Sequence, residues 1–428
     1  MARITSLCAI LAEKSVKVVI YGPMLEDESD FFGSLAVNDL EKIKGKKKLN
    51  VKQTLFLLIG NEVANLALPI GLTINAKELY TLSKKHDLAH LVFDAAIKNG
   101  LIDKNSDVFN KLNNQQLYAI YRYNQHKNDL GLIRDAFQKS HIRFVPLKGS
   151  IIRDYYPEPW MRTSCDIDIL VHEEDLEKAK KALLQIGFTT DGARNYHDIS
   201  FFKNQTHLEL HFNICEMNKQ LDQLLKDVWN YVEQYDGYEY RETDSFFVFH
   251  HIAHMAYHFL AGGCGIRPFL DLWILRKRET FDEKNLLELL NKCNLVSFYN
   301  EACLLSEIWF GDKKHNATTL KIEQFIFEGG VYGSSEKGAV IGIAQHGGSK
   351  FRYKWSIAFP SYFDMCNIYP KLKKYKILLP LYYIKRFFTK VFGKSKNRTK
   401  KRAEIINESS YNEAKEFSKL IKKLGLKK

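Results

Sequence analysis

The sequence predicts an α+β protein in which a central sheet-forming stretch lies between two helical ones. Three observations lead there. Apolar residues recur at helical spacing from Val51 to about Asn128 (Leu55, Leu58, Ile59 and Val63, then Leu79, Leu82, Leu88, Leu91 and Val92), and again from Phe246 onward. Short apolar runs of strand character, at residues 142–147, 166–171, 199–202 and 207–212, crowd between those stretches. Acidic residues alternate with apolar ones inside two of the runs, as Asp166-Ile167-Asp168 and as Leu208-Glu209-Leu210.

Taken in order, residues 1–48 read as an irregular N-terminal segment. Its acidic patch (Glu26-Asp27-Glu28-Ser29-Asp30) and basic run (Lys42-Ile43-Lys44-Gly45-Lys46-Lys47-Lys48) are expected to be solvated. Residues 49–125 read as a helical N-terminal domain. Residues 126–240 carry the α/β core. It opens on a helix over 129–140 with Leu130, Leu132, Ile133 and Phe137 near one face, followed by strands over 142–147 and 166–171. An amphipathic helix over 173–185 comes next, with Gly187 placed to cap it. Two further strands form a hairpin turning at Asn204-Gln205. Residues 241–393 return to helix: Ala253, Ala256 and Leu260 line one that stops at Gly262-Gly263, and 271–276 and 286–290 suggest two more. The stretch 345–360 fits no single pattern. Residues 394–428 form a basic tail with few large apolar residues, expected as a flexible extension or a short exposed helix.

Length and composition bound the answer further. A chain of 428 residues exceeds one typical domain. No apolar run is long enough to span a bilayer. The apolar stretch within residues 1–22 is interrupted by Glu13, Lys14 and Lys17, so no secretory signal is expected and a cytoplasmic location is. Seven widely spaced cysteines without a C-x-x-C read as reduced thiols and give no support to a zinc-cysteine site. The net charge of +13 is unevenly placed. Residues 371–428 hold nineteen of the 63 Lys/Arg and four of the 50 Asp/Glu, a net of +15; the other 44 basic and 46 acidic residues leave −2. A near-neutral body argues against a groove that embraces long nucleic acid. Within the basic part, residues 375–392 interleave Ile377, Leu381, Ile384, Phe387 and Phe388 with Lys376, Lys385, Arg386 and Lys390. That pattern suits either an amphipathic segment lying on an anionic membrane surface, which would make the protein peripheral there, or a last packed helix.

The acidic runs carry the chemistry. A strand alternates its side chains, so Asp166 and Asp168 share a face while Ile167, Ile169 and Val171 take the other. Neighbouring carboxylates repel unless a cation lies between them. Mg²⁺ works with carboxylates and substrate phosphates, and a third carboxylate, Glu209 from a nearby strand, makes a set able to hold two ions around an in-line displacement. Upstream, Lys148-Gly149-Ser150 follows an apolar strand and would open a helix, a place where backbone N–H groups bind phosphate. Lys148, Arg153 and Arg162 flank this core. Arg162, four residues before Asp166, is the first choice to neutralise a triphosphate, with a structural salt bridge as the other use of each. His211 shares Glu209's face and would orient a carboxylate or contact an acceptor. His250, His254 and His258 stack at i, i+4 and i+8 on one helical face; without an H-E-x-x-H, lining a face or a substrate site is the better reading than zinc.

The motifs Leu147-Lys148-Gly149-Ser150, Tyr156-Pro157, Arg162, Asp166-Ile167-Asp168-Ile169-Leu170-Val171, Gly187-Phe188 and Leu208-Glu209-Leu210-His211 resemble the nucleotidyltransferase superfamily with the DNA polymerase β-type core. More narrowly, the chain is similar to a bacterial family of uncharacterised nucleotidyltransferases, to which Gly262-Gly263-Cys264-Gly265-Ile266-Arg267-Pro268-Phe269-Leu270-Asp271 also fits. The resemblance runs from about residue 50 to about residue 390. Its departure is a gap of fifteen residues between Ser150 and Asp166, slightly longer than usual. It implies a polymerase β-like core, a mixed sheet flanked by helices, between mostly helical N- and C-terminal regions. It also implies that Arg267 and Asp271 shape the acceptor pocket or else pair structurally.

The expected function is transfer of an NMP from an NTP to a hydroxyl acceptor with release of pyrophosphate. Asp166, Asp168 and Glu209 would bind Mg²⁺ (Mn²⁺ as the alternative), and Lys148, Gly149, Ser150 and Arg162 the nucleotide. The acceptor, a small molecule such as a sugar or a protein side chain, is favoured over long nucleic acid. Two rival classes stand beside this: a non-catalytic nucleotide- or partner-binding module on the same fold, and a membrane-surface or nucleic-acid binder acting through the basic tail.

Overall fold

The computed structural model describes residues 49–426 apart from 193–194, 196, 217–218, 332, 334, 392–395 and 409–410. The irregular reading of residues 1–48 therefore lies outside the described residues. The helices α1 (Val51–Ala64), α2 (Ala76–Lys85), α3 (Phe93–Lys98) and α4 (Asp107–Lys139) lead into β1 (Phe144–Pro146) and a one-turn α5 (Gly149–Ile152). Next come β2 (Ile167–Val171), α6 (Leu176–Gln185), β3 (Asp198–Lys203), β4 (Thr206–His211), α7 (Lys219–Leu225), β5 (Val232–Asp236) and β6 (Glu239–Glu242). The remainder is helical: α8 (Asp244–Ala261), α9 (Arg267–Arg278), α10 (Glu283–Lys292), α11 (Val296–Phe310), α12 (Ala317–Gly329), α13 (Ser335–Gln345), α14 (Lys350–Ala358), α15 (Tyr362–Ile368), α16 (Lys371–Lys374), α17 (Leu379–Val391), α18 (Lys396–Glu408) and α19 (Tyr411–Lys423).

The α+β expectation holds, with one mixed sheet of order β3-β4-β2-β1-β6-β5. β2 is parallel to β4 and antiparallel to β1, β1 is parallel to β6, and β3–β4 and β5–β6 are antiparallel pairs. The β3–β4 hairpin turns at Asn204-Gln205 as expected, with Asn204 at φ 52°, a conformation its short polar side chain tolerates. The β5–β6 hairpin is an addition to the sequence reading. Its signal was Asp236-Gly237 between Tyr-containing runs, and Gly237 supplies the φ of 55° that the turn needs.

Strand alternation sorts the two faces. Ile167, Ile169 and Val171 of β2, Leu208 and Leu210 of β4, and Ile199 and Phe201 of β3 pack with Leu130, Ile133 and Phe137 of α4 and with Ala179 and Leu183 of α6. The intervening residues Asp168, Glu209 and His211 must face the other side. There Val145, Leu147 and Leu170 join a second, larger core. That core contains Leu55 and Phe56 of α1 together with Phe249 and Phe259 of α8 and Trp309 of α11. Phe56 and Trp309 stack with centroids 4.8 Å apart, so the helices before and after the sheet share one interior. α4 bridges the two cores, and the boundary drawn at 125/126 falls inside this 33-residue helix.

Two further differences from the sequence reading have plain causes. Among the described residues of the basic tail, Ala414, Phe417, Leu420 and Ile421 of α19 are buried rather than exposed, with Phe417 lying 4.7 Å from Phe325 and 5.7 Å from Phe259. The stripe has helical spacing, but the surrounding lysines mask it in a composition count. The stretch 345–360 resolves into α14, started by Ser349, whose hydroxyl accepts the Arg352 N–H. No helix among the described residues is long and apolar enough to cross a membrane.

Candidate active site

The chain leaves β1 beside Asp168, because the Leu147 N–H donates to the Asp168 carbonyl at 3.0 Å. Lys148 then turns the chain at φ 43°, ψ −112°, a strained conformation for a residue with a β-carbon, costing on the order of 1–3 kcal/mol. Gly149 follows. A β-carbon there would lie 3.1 Å from Cβ of Ser164, so glycine lets the turn approach the loop entering β2. Arg153 ties the two together, donating from Nε to the Gly149 carbonyl and from a terminal nitrogen to Ser164 Oγ, both at 2.7 Å. Arg122 holds the Ser164 carbonyl at 2.7 Å.

β2 and β4 pair Asp168 with Glu209 in register. Asp166 sits one residue ahead of β2, at its edge rather than within it. Oxygens of Asp166 and Glu209 gather with a His207 nitrogen within 4.8 Å, and those of Asp168 and Glu209 gather with His211 in the same way. His211 Nε2 donates to Asp168 Oδ1 at 2.8 Å and lies 3.5 Å from Glu209 Oε2. Burial would lower the His211 pKa, but its hydrogen bonds to the two carboxylates lift it to about 9. Burial would raise Asp168, yet Lys148 and His211 hold it well below the usual carboxylate range. Asp166 has less help: burial and repulsion from Asp168 and Glu209 push it up to about 6. Lys148 is held above its ordinary value, because Asp168, Glu216, Asp166 and Glu209 outweigh the effect of burial.

Opposite this wall stands α8. It ends at Gly262, φ 104°, where a β-carbon would meet the Gly338 backbone nitrogen at 3.1 Å; the stop is where the sequence placed it. The histidine face does line the site. His254 Nδ1 donates to Glu216 Oε1 at 2.8 Å, and its Nε2 lies 3.0 Å from Nε2 of His258. Burial, then Lys148, lowers the His254 pKa to about 4, so its imidazole is neutral near pH 7. With the proton on Nδ1, the Nε2 lone pair accepts from His258. His250 turns the other way, to Glu242 at 2.9 Å.

The remaining anticipated residues sort as follows. Arg162 Nε donates to both Asp271 oxygens at 2.8 and 2.9 Å, and the Tyr156 hydroxyl donates to Asp271 at 2.6 Å. Asp271 is fully buried. Arg267 pairs instead with Asp87 and with the Thr163 carbonyl, so Arg267 and Asp271 do not pair with each other. Both line the same cleft as the three acids, as do Lys148, Gly149, Arg162 and His211; its volume is about 420 Å³. Ser150 is buried behind this lining, and its N–H and that of Ile151 are already bonded to the Leu147 and Lys148 carbonyls at 3.1 and 3.0 Å.

The family model described as "Uncharacterised nucleotidyltransferase" matches residues 73–311, more than half of the chain. The chain belongs to that family. Comparison with curated proteins and with solved structures gives no match. The matched region of this nucleotidyltransferase contains β1 to β6 and the helices α8 and α9 that close the cleft. Two contributors escaped the sequence reading. His207 was legible, since His207, Glu209 and His211 alternate on one face of β4. Glu216 was not: it follows β4 in a loop and acquires its place only when α8 packs against it.

Proposed function

We propose that the cleft transfers an NMP from an NTP to a hydroxyl acceptor, with Asp166, Asp168 and Glu209 as the catalytic carboxylates. The observation that carries this is their convergence beside Lys148, in a chain of the nucleotidyltransferase family, from β2 and its parallel neighbour β4. The donor set fits a divalent cation: three carboxylates crowd together, and burial and repulsion from Asp168 and Glu209 push Asp166 up to about 6. Mg²⁺ or Mn²⁺ held by these residues would supply neutralisation of the polyphosphate and of the charge developing on the leaving pyrophosphate.

The chain's own groups do the rest. Lys148 offers a cation at the polyphosphate side, fixed by the strained turn after β1. His211 orients Asp168 and Glu209, acting through them rather than on substrate. Arg162, bound through Nε to Asp271 and through a terminal nitrogen to the Thr163 carbonyl, keeps the loop entering β2 against α9 and lines the cleft. Glu216, His254 and His258 form the wall facing the acids, a hydrogen-bonded chain that would shape the acceptor side of the cleft. A small or protein-borne acceptor suits the near-neutral body better than long nucleic acid.

The test is incubation with each α-labelled NTP, Mg²⁺ and a cell extract, asking which component becomes labelled. Asp168→Ala should abolish labelling while far-ultraviolet circular dichroism stays unchanged. Undiminished labelling by that variant rejects the assignment.

A further inference from the structure

We propose that the surface formed by α14 and α17 docks this protein onto anionic membrane lipid. The inference stands apart from the nucleotidyl-transfer reading, because it uses no residue of the cleft. It begins with apolar side chains left in water: Ile377 is 88% exposed, Phe351 71%, Leu381 62%, Phe387 59%, Trp355 57% and Ile384 54%. Isolated apolar residues at a surface are ordinary; a contiguous set is not.

The set is contiguous. Phe351, Trp355 and Phe359 recur every four residues along and just past α14, with Trp355 and Phe359 centroids 4.5 Å apart. Phe359 meets Tyr383 of α17 at 5.6 Å, and Arg386 of α17 donates to the Ile357 carbonyl at 3.3 Å. Ile377, Leu381, Ile384 and Phe388 follow at spacings of four, three and four, the repeat of one helical side. α17 is apolar on a second side as well. Leu379, Tyr382 and Tyr383 pack on the small core of Met365, Cys366 and Leu372. The helix is therefore anchored to the protein by one side and presents the other outward, which a helix built only to cover a core does not need.

Charge identifies the partner. Residues 350–391 contain ten Lys/Arg (Lys350, Arg352, Lys354, Lys371, Lys373, Lys374, Lys376, Lys385, Arg386 and Lys390) against one acid, Asp364. Cations beside exposed Trp, Phe and Ile side chains match the anionic headgroup region and the first carbons of the acyl chains. α17 has 13 residues, about 20 Å of helix, so it would lie in the interface and not cross it. Nucleic acid would satisfy the charge and stack on the aromatics, but it offers nothing to Ile377, Leu381 and Ile384.

The test uses the full chain with phosphatidylcholine vesicles and with vesicles containing about one third phosphatidylglycerol, read by sedimentation at low and high salt. Labelled single- and double-stranded nucleic acid serve as competitors. The expected result is binding to the anionic vesicles alone, weakened by salt. Ile377→Ser/Leu381→Ser/Phe387→Ser and Lys376→Glu/Lys385→Glu should each lower partition on the order of tenfold or more. Their melting temperatures should hold, since these side chains are exposed. In the unaltered chain, lipids brominated near the headgroup should quench Trp355, with Trp355→Phe as the reference. Absence of anionic binding, binding kept by both multiple variants, or displacement of vesicles by nucleic acid at lower concentration would each overturn the proposal. NTP-dependent labelling in solution should be the same in all these variants, so failure here is separable from failure of the nucleotidyl-transfer reading.

Discussion

The sheet wall and the helical wall of the cleft both carry buried charge, and they neutralise it differently. On the helical wall the ion pairs are made within the chain, Asp271 with Arg162 (and the Tyr156 hydroxyl) and Arg267 with Asp87, while Glu216 accepts a hydrogen bond from a neutral His254. On the sheet wall Asp166, Asp168 and Glu209 share Lys148 and His211, and Asp166 is left with a raised pKa. A wall that satisfies itself holds shape; a wall short of positive charge is prepared for a cation and a phosphate. Under the proposed reading, the sheet wall would hold the cation and the polyphosphate, and the helical wall would hold the shape of the cleft.

The largest effect that would break this contrast is at Asp166. Asp166→Asn should lower NMP transfer about 10³-fold or more, as loss of a metal-binding carboxylate does. It should also leave the metal-free protein as stable as before or more so, because burial of a carboxylate and its repulsion from Asp168 and Glu209 are relieved. A melting temperature that falls sharply in chelator would mean that the sheet wall, too, is structural.

Asp271→Ala should do the reverse. It strands the Arg162 guanidinium and the Tyr156 hydroxyl inside the protein, and removing one partner of a buried ion pair costs about 3–5 kcal/mol. Denaturant titration reads this directly, and a change under about 1 kcal/mol would show that water replaces the carboxylate. Next in size is His254→Gln, which breaks the chain from Glu216 to His258 and is expected to reduce kcat/KM for the acceptor about 10²-fold with KM for the NTP unchanged. A shift in KM for the NTP with constant kcat would move His254 from the acceptor side to the nucleotide side.

The smallest effect concerns pH. His86, next to the Asp87 that holds Arg267, is fully buried, and burial lowers its pKa to about 4. Below pH 6.5 the unfolded chain binds this proton and the folded chain does not. The contribution is therefore complete above 6.5 and is lost as pH falls toward 4. Between pH 6.5 and 4.5 His86 alone should cost on the order of 2 kcal/mol. His86→Leu should flatten that part of the stability profile, and a profile identical to the unaltered chain would remove His86 from the account.

Much of the sheet wall was legible because strand periodicity is local. Alternation in Asp166-Ile167-Asp168 and Leu208-Glu209-Leu210 separates acid from core without knowledge of the partner strands, and the pairing of Asp168 with Glu209 agrees with it. The same rule could have yielded His207. The helical wall was legible only as a pattern: the His250, His254, His258 stripe showed a shared face but not that His250 would turn to Glu242 and His254 to Glu216. Arg162 and Asp271 are 109 residues apart, and no local rule joins them. The basic tail misled in the same way, because its charge hid the Ala414, Phe417, Leu420 and Ile421 stripe that completes the large core.

By itself the sequence determined the α+β class, the two acidic strand motifs, the Lys148-Gly149 turn and the separation of positive charge into the C-terminal segment. Each is a matter of neighbouring residues, set by the pleat of a strand, the steric needs of a turn or a count of charges. Tertiary structure alone decided which charges are left for a ligand. A carboxylate's environment depends on what packs against it from distant parts of the chain, and Asp271 and Asp166, alike in sequence, differ because only one of them received a guanidinium within hydrogen-bonding distance.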